Sequence, residues 1–191
     1  MPAVRFLYAP LLSLGLLLTR PDHHAPEPLA RFQAQQPGPL ILHAREGERR
    51  VRRTLGGAPL ILKVDRQNGG APEFVVGTEE IPPGQTIPPH HHLDTDEIVF
   101  IQRGTGRAQV GNKSASVEAG ATIYIPRHTR ITLQNTGSEP LAITFVFSRP
   151  GFEDYLRETS VPAGQAVTPL SAAELAGIRR RYEGHVVYEK P

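Results

Sequence analysis

Gly84-Gln85-Thr86-Ile87-Pro88-Pro89-His90-His91-His92-Leu93-Asp94-Thr95-Asp96-Glu97-Ile98-Val99-Phe100-Ile101-Gln102-Arg103-Gly104 is the stretch that decides the reading of this chain. Two prolines stiffen the backbone ahead of the histidines and disfavour helix. On the extended segment this predicts, His90 and His92 lie two apart and project from the same side. Glu97 opens the run Glu97-Ile98-Val99-Phe100-Ile101, β-branched and apolar, which reads as a buried strand ending at Gly104. Imidazole and carboxylate are ligand types that borderline metal ions accept. Two histidines and a carboxylate on strand-like backbone are thus placed to converge on one point.

The spacing is Gly84, five residues, His90-x-His92, four residues, Glu97, six residues, Gly104. It resembles the first motif of the cupin superfamily, with every fixed position filled. The resemblance implies an all-β fold, a double-stranded β-helix (jelly-roll) barrel, in which His90, His92 and Glu97 are ligands of one divalent transition metal, Fe, Mn, Ni, Cu or Zn.

A second motif follows, and there the chain departs from the family. Gly120-Ala121-Thr122-Ile123-Tyr124-Ile125-Pro126 matches its opening and Asn135 its close. Between them His128 replaces the usual turn glycine, and Ile131 stands where the family carries its last histidine ligand. Isoleucine cannot bind a metal. Three outcomes stay open at this point. His90, His92 and Glu97 alone hold the ion, a two-histidine, one-carboxylate set suited to Fe(II) and oxygen chemistry. His128 swings in as a replacement ligand. Or the site is metal-free, with Ile131 as one wall of an apolar pocket. Buried polar groups need partners, and metal coordination supplies them directly. His91 has the opposite parity and points away; Asp94 and Asp96 read as solvated loop carboxylates or as partners of a ligating imidazole. Tyr124 joins Ile131 as an expected pocket residue.

The other features set bounds. In 191 residues, 19 prolines and 18 glycines demand many turns and short elements, and the absence of cysteine excludes disulfides and thiolate metal sites. A formal charge of +2 gives no reason to expect nucleic acid as a partner. The basic cluster Arg45, Arg49, Arg50, Arg52, Arg53 reads as a solvated strand face or oligomer edge, and a homodimer is the expected assembly. Arg5 ahead of the apolar run Phe6 to Leu18 suits a signal-peptide core and is too short for a stable membrane span. Export, to the periplasm in a bacterium, is therefore expected, with a cytoplasmic location as the alternative. Residues 21 to 38, which include His23 and His24, read as linker.

From Pro39 the strand candidates begin: 40–42, 60–64, 74–78, then 97–101, 107–110, 115–117, 122–126, 131–133 and 141–147, punctuated by Gly56-Gly57, Asn68-Gly69-Gly70 and Gly111-Asn112-Lys113. After Phe147 the pattern turns helical. Phe152, Tyr155 and Leu156 share one helical face, and Ser171-Ala172-Ala173-Glu174 has the form of a capping box, opening a second helix that runs to about Tyr182. This segment loosely resembles the C-terminal part of small, single-domain, quercetinase-like cupins. The expected organisation is a signal segment and linker at 1–38, a barrel at 39–149 and a helical extension at 150–191. The cupin resemblance implies a metal-dependent enzyme acting on a small organic molecule, a dioxygenase first and an isomerase or lyase next. A non-catalytic small-molecule-binding protein with a degenerate metal site is the alternative from another class.

Overall fold

The computed structural model describes residues 38–69 and 73–189. The expected export segment, the linker histidines and the turn residue Gly70 lie outside them.

The fold is an all-β, double-stranded β-helix barrel with a short helical extension. Its elements are β1 (Glu48–Arg52), β2 (Pro59–Val64), β3 (Val75–Ile81), β4 (Thr86–His92), β5 (Glu97–Arg103), β6 (Thr105–Val110), β7 (Lys113–Glu118), β8 (Thr122–Ile125), β9 (Ile131–Asn135), β10 (Leu141–Phe147), α1 (Phe152–Glu158), β11 (Ser160–Pro162), α2 (Ala172–Arg181) and β12 (Val186–Tyr188). One sheet runs β11-β1-β2-β3-β10-β5-β8 and the other β12-β4-β9-β6-β7. All pairings between these strands are antiparallel.

Alternation writes the core. Along β10 the odd positions Leu141, Ile143, Phe145 and Phe147 are buried while Ala142, Thr144 and Val146 are only half-buried. β3 and β5 show the same period over most of their length, and each fully buried Leu, Ile or Phe contributes about 1.5–3 kcal/mol of transfer free energy. Gly77 falls on an inward position of β3, directly across from Phe145. A Cβ there would sit 2.3 Å from the Phe145 ring and 2.9 Å from the carbonyl oxygen of Ile61, so only hydrogen leaves room for the ring.

Two expectations need correction. Leu40-Ile41-Leu42 forms no strand; Leu40 and Ile41 are exposed, because the run lacks a neighbouring strand to pair with. The arginine-rich stretch is not a uniformly solvated face either. It is β1, held between β2 and β11, with Arg52 buried at its end. Arg50 donates from Nε to Ser160 Oγ at 2.7 Å, and Arg157 of α1 donates from Nη2 to Glu48 at 2.7 Å and to the fully buried Asp65. These charge-assisted bonds fasten the C-terminal segment to the barrel.

That segment is more than a helical appendix, since β11 extends one sheet and β12 extends the other. The Ser171–Glu174 capping box forms in both directions, and α2 buries Ile178. No helix among the described residues is long and apolar enough to cross a membrane.

Gly77→Ala should destabilise the protein by about 1–3 kcal/mol through overpacking against Phe145. Thermal unfolding should register this as a lower Tm, roughly 2–4 °C for each kcal/mol. An unchanged Tm would mean that the Phe145 ring is free to move aside.

Candidate metal centre

β4 carries the centre of the sequence motif. Its two prolines are tolerated because the pairing of β4 with β9 is irregular between Ile87 and His90, just where Pro88 and Pro89 have no N–H to give. After that interruption the strand alternation sends His90 and His92 inward, 5% and 1% exposed, and leaves His91 half-buried with Nδ1 3.8 Å from Glu189. Glu97 enters from the start of β5 and is 8% exposed. One ligating atom from each of His90, His92 and Glu97 lies within 4.8 Å of the others.

The protonation pattern suits ligation. His90 Nδ1 lies 2.7 Å from the carbonyl oxygen of Pro88, which fixes the N–H on Nδ1 and leaves the Nε2 lone pair free. Burial, reinforced by the neighbouring His92, pushes the His90 pKa down to about 4, so this ring is neutral at physiological pH. His92 Nε2 is 3.4 Å from Glu97 Oε2, and neither of its ring nitrogens has a hydrogen-bond partner among the described residues. The ring is enclosed by Phe147 and Phe152, with centroids 5.0 and 4.6 Å away. An imidazole buried with both nitrogens unsatisfied is costly, and a metal ion shared with Glu97 would satisfy one of them. The donor set therefore fits a divalent transition metal.

Ile131 pairs with His90 across β4 and β9, is buried, and lines the cavity beside the three residues. His128 does not join them. It is exposed and holds φ 63, the left-handed backbone that explains why a glycine is the usual occupant, and its N–H donates to the His92 carbonyl at 2.6 Å. His128 supports the strand rather than the ion. Tyr124 is also misplaced by the sequence reading. It is 59% exposed, because β8 turns Ile123 and Ile125 inward and Tyr124 outward. Asp94 and Asp96 contact neither His90 nor His92: Asp94 Oδ2 lies 2.6 Å from His185 Nδ1, and Asp96 accepts from the backbone and guanidinium of Arg127.

His90 and Glu97 open onto a cavity of about 130 Å³, with His92 packed behind them. Ile131, Leu133, Ile143, Phe145 and Phe147 make much of its wall. Four polar residues that the sequence reading passed over complete it: Arg52, Glu79, Arg179 and Tyr188. Arg52 Nη1 is 2.9 Å from Glu79 Oε1, and both side chains are buried. Burial raises the Glu79 pKa despite that arginine. Tyr188, opposite His90 in the β12–β4 register, stacks on its ring at 5.3 Å, and Arg179 lies 4.1 Å over the same tyrosine ring. Only the parity of Glu79 on β3 offered a sequence signal; the others depend on how the chain ends are threaded back onto the barrel.

The family model for the cupin domain matches residues 77–147, from within β3 to the end of β10. Curated relatives include an uncharacterised protein of Methanocaldococcus jannaschii, 36% identical over 63 residues that cover 33% of this chain and 50% of that protein. Another is the tetracenomycin polyketide synthase protein TcmJ of Streptomyces glaucescens, 24% identical over 79 residues, covering 41% of this chain and 53% of that one. The chain thus spans about half the length of these relatives. Among solved structures, a predicted oxalate decarboxylase from Thermotoga maritima superimposes with a TM-score of 0.51 at 18% identity, covering 58% of this chain and 100% of that chain. At that identity the likeness concerns the fold alone. With the first motif's spacing, the barrel topology and the family match in agreement, residues 77–147 of this chain form a cupin domain.

Proposed function

We propose that the protein is a metal-dependent enzyme acting on a small organic molecule, and that its reaction is a dioxygenation. The observation that carries this reading is the buried His92, with two unpartnered ring nitrogens beside Glu97 and His90, which line a largely apolar cavity. His90 and His92 would hold the ion through neutral imidazole nitrogens and Glu97 through its carboxylate. An ion bound there would supply a Lewis-acidic, redox-capable centre, and three protein ligands leave coordination positions free for reactants. Ile131 favours dioxygenation over other cupin chemistries, because it withholds the fourth ligand and lines the space beside the ion instead. Phe145, Phe147 and Ile131 exclude water from that space, while Glu79, its pKa raised by burial, can exchange a proton with a bound molecule.

Elemental analysis of untagged protein, prepared without added metal or chelator, tests the reading. About one divalent transition metal per chain is expected, and His92→Ala should weaken its retention at least about 100-fold. Metal-free wild-type protein, or metal content unchanged in His92→Ala, would favour a binding protein with a degenerate site.

Ile131→His places an imidazole next to His90 and should hold the ion against higher concentrations of a competing chelator, while slowing any turnover that consumes oxygen. His128→Ala should leave metal retention unchanged. Loss of metal in His128→Ala to the extent seen in His92→Ala would make His128 a ligand after all.

Metal-free protein should also be acid-sensitive in a defined window. The unfolded chain takes up a proton at His90 as pH falls through its ordinary value of 6.5, whereas the folded chain resists until about 4. Stability from this group is thus complete above about 6.5 and is lost as pH falls towards 4. Urea midpoints measured across that range should fall less steeply in His90→Gln than in wild type. Parallel slopes would exclude a buried, neutral His90.

A further inference from the structure

The buried polar atoms left without a hydrogen-bond partner among the described residues are Arg52 Nε, both ring nitrogens of His92, Arg179 Nε, and Glu79 Oε1, which has its ion pair with Arg52 Nη1. Every one belongs either to a residue lining the cavity or to His92, which packs behind the lining residues His90, Phe147 and Phe152. Orphaned polar atoms scattered through a protein are packing faults. Gathered around one cavity, they describe a missing partner. The metal answers only for His92, so two arginine N–H donors remain.

Both guanidiniums are prepared to meet an anion. Arg52 is 8% exposed; Nη1 faces Glu79 at 2.9 Å and Nη2 donates to Thr54 Oγ1 at 3.2 Å, which leaves Nε. Arg179 pairs with no carboxylate among the described residues. Its guanidinium lies over the Tyr188 ring, and a guanidinium whose face is used in this way keeps its edge of N–H groups for ligands in its own plane. Leu175 and Arg179, one turn apart on α2, both reach the cavity. Tyr188 also stacks on His90, so a single ring joins the arginine to the candidate metal ligand.

Charge points the same way. With a divalent ion bound, Arg52 and Arg179 add to its positive charge and only Glu79 and Glu97 oppose it, so the cavity is net positive. A cationic guest is excluded, and a neutral one offers the arginine donors only uncharged acceptors, which pair with them less strongly than a carboxylate. Much of the remaining wall is aliphatic and aromatic. Resting on the reading of this cavity as the substrate site, we infer that it takes a small organic carboxylate with an apolar body. Its carboxylate is held by the N–H edges of Arg179 and Arg52, and its body lies against Phe145, Phe147 and Ile131 toward His90, His92 and Glu97. Arg52 and Arg179 both lie outside the stretch that matches the cupin domain, so this specificity belongs to the segments flanking the module.

Isothermal titration of metal-loaded protein with matched acids and amides tests the inference: benzoate against benzamide, and isobutyrate against isobutyramide. At least one acid should bind, and its amide should be weaker by about tenfold or more, as expected for loss of a charge-assisted hydrogen bond. Arg179→Gln should weaken the acid by a similar factor and leave the amide unchanged. Arg52→Gln alone strands Glu79 as an uncompensated buried charge, so the double variant Arg52→Gln/Glu79→Gln is the folded counterpart, and it too should lose preference for the acid. Acids and amides binding alike, neither acid binding, or an Arg179→Gln variant that binds acid as wild type does, would each overturn the inference. Metal content measured on the same samples separates the two readings. Full metal without acid binding defeats the carboxylate site alone, and acid binding without metal defeats the metal centre alone.

Discussion

A β-strand has two faces, and β4 uses its inner one for two histidines. Everything else at the site follows from that constraint. Pro88 and Pro89 cannot complete a ladder, so β4 meets β9 irregularly there and regains its register at His90 opposite Ile131. The carbonyl of Pro88 accepts from His90 Nδ1, so the residue that interrupts the sheet also sets the tautomer of the first imidazole. On the other flank β12 completes the backbone pairing of His90, His91 and His92, and His128 donates its N–H to the His92 carbonyl. A strand with one partner missing would let these side chains wander; here both edges are closed.

The closing strand brings chemistry with it. Tyr188 pairs with His90, and the ring that stacks on the imidazole is also the platform for Arg179. At the opposite end of the chain, β1 delivers Arg52 into the same cavity beside Glu79. The module therefore supplies the candidate ligands, whereas the sequences before and after it supply the cationic wall. This division gives physical meaning to the observation that one barrel can host many substrates. The candidate ligands are set by strand parity inside the module, and Arg52, Arg179 and Tyr188 come from segments outside it.

Legibility divides along the same line. The first motif could be read because each of its positions answers a local rule: a turn at either end, prolines for extension, parity for two histidines, and a β-branched run to bury the carboxylate. Asn135 was legible as the close of the second motif, and its role proves structural, its amide donating to the carbonyls of Ile81 and Glu139 while accepting from Gly137. Tyr124 was misjudged because a four-residue strand offers too few positions to set its phase; the buried Ile123 and Ile125 decide it. Arg52 was misjudged for a different reason. In a run containing Arg49, Arg50 and Arg53, composition argues for solvent, and only the distant Glu79 turns one arginine inward. Arg179 and Tyr188 carried no local signal, since their positions depend on a helix and a strand returning to the barrel from the chain's end. Local rules find ligands on a strand, but they cannot find a wall assembled from both termini.

Ile131 draws these strands of reasoning together. A histidine in its place would be one more polar group in a cavity that already holds Arg52, Glu79, His90 and Glu97. Isoleucine instead extends the apolar surface of Leu133 and Phe147 up to the imidazole of His90. With an ion on His90, His92 and Glu97 as proposed, the isoleucine would leave a position on it free and offer an apolar surface beside it. The cavity sets two arginines and the candidate ligands His90 and Glu97 into an otherwise largely apolar wall. A carboxylate guest of the kind inferred would be oriented there before any reaction, its charged end on the arginines and its apolar body against Ile131, Phe145 and Phe147. Orientation of this kind is a large part of what a small barrel with few catalytic groups has to offer. On the proposed reading, isoleucine at this position serves substrate geometry.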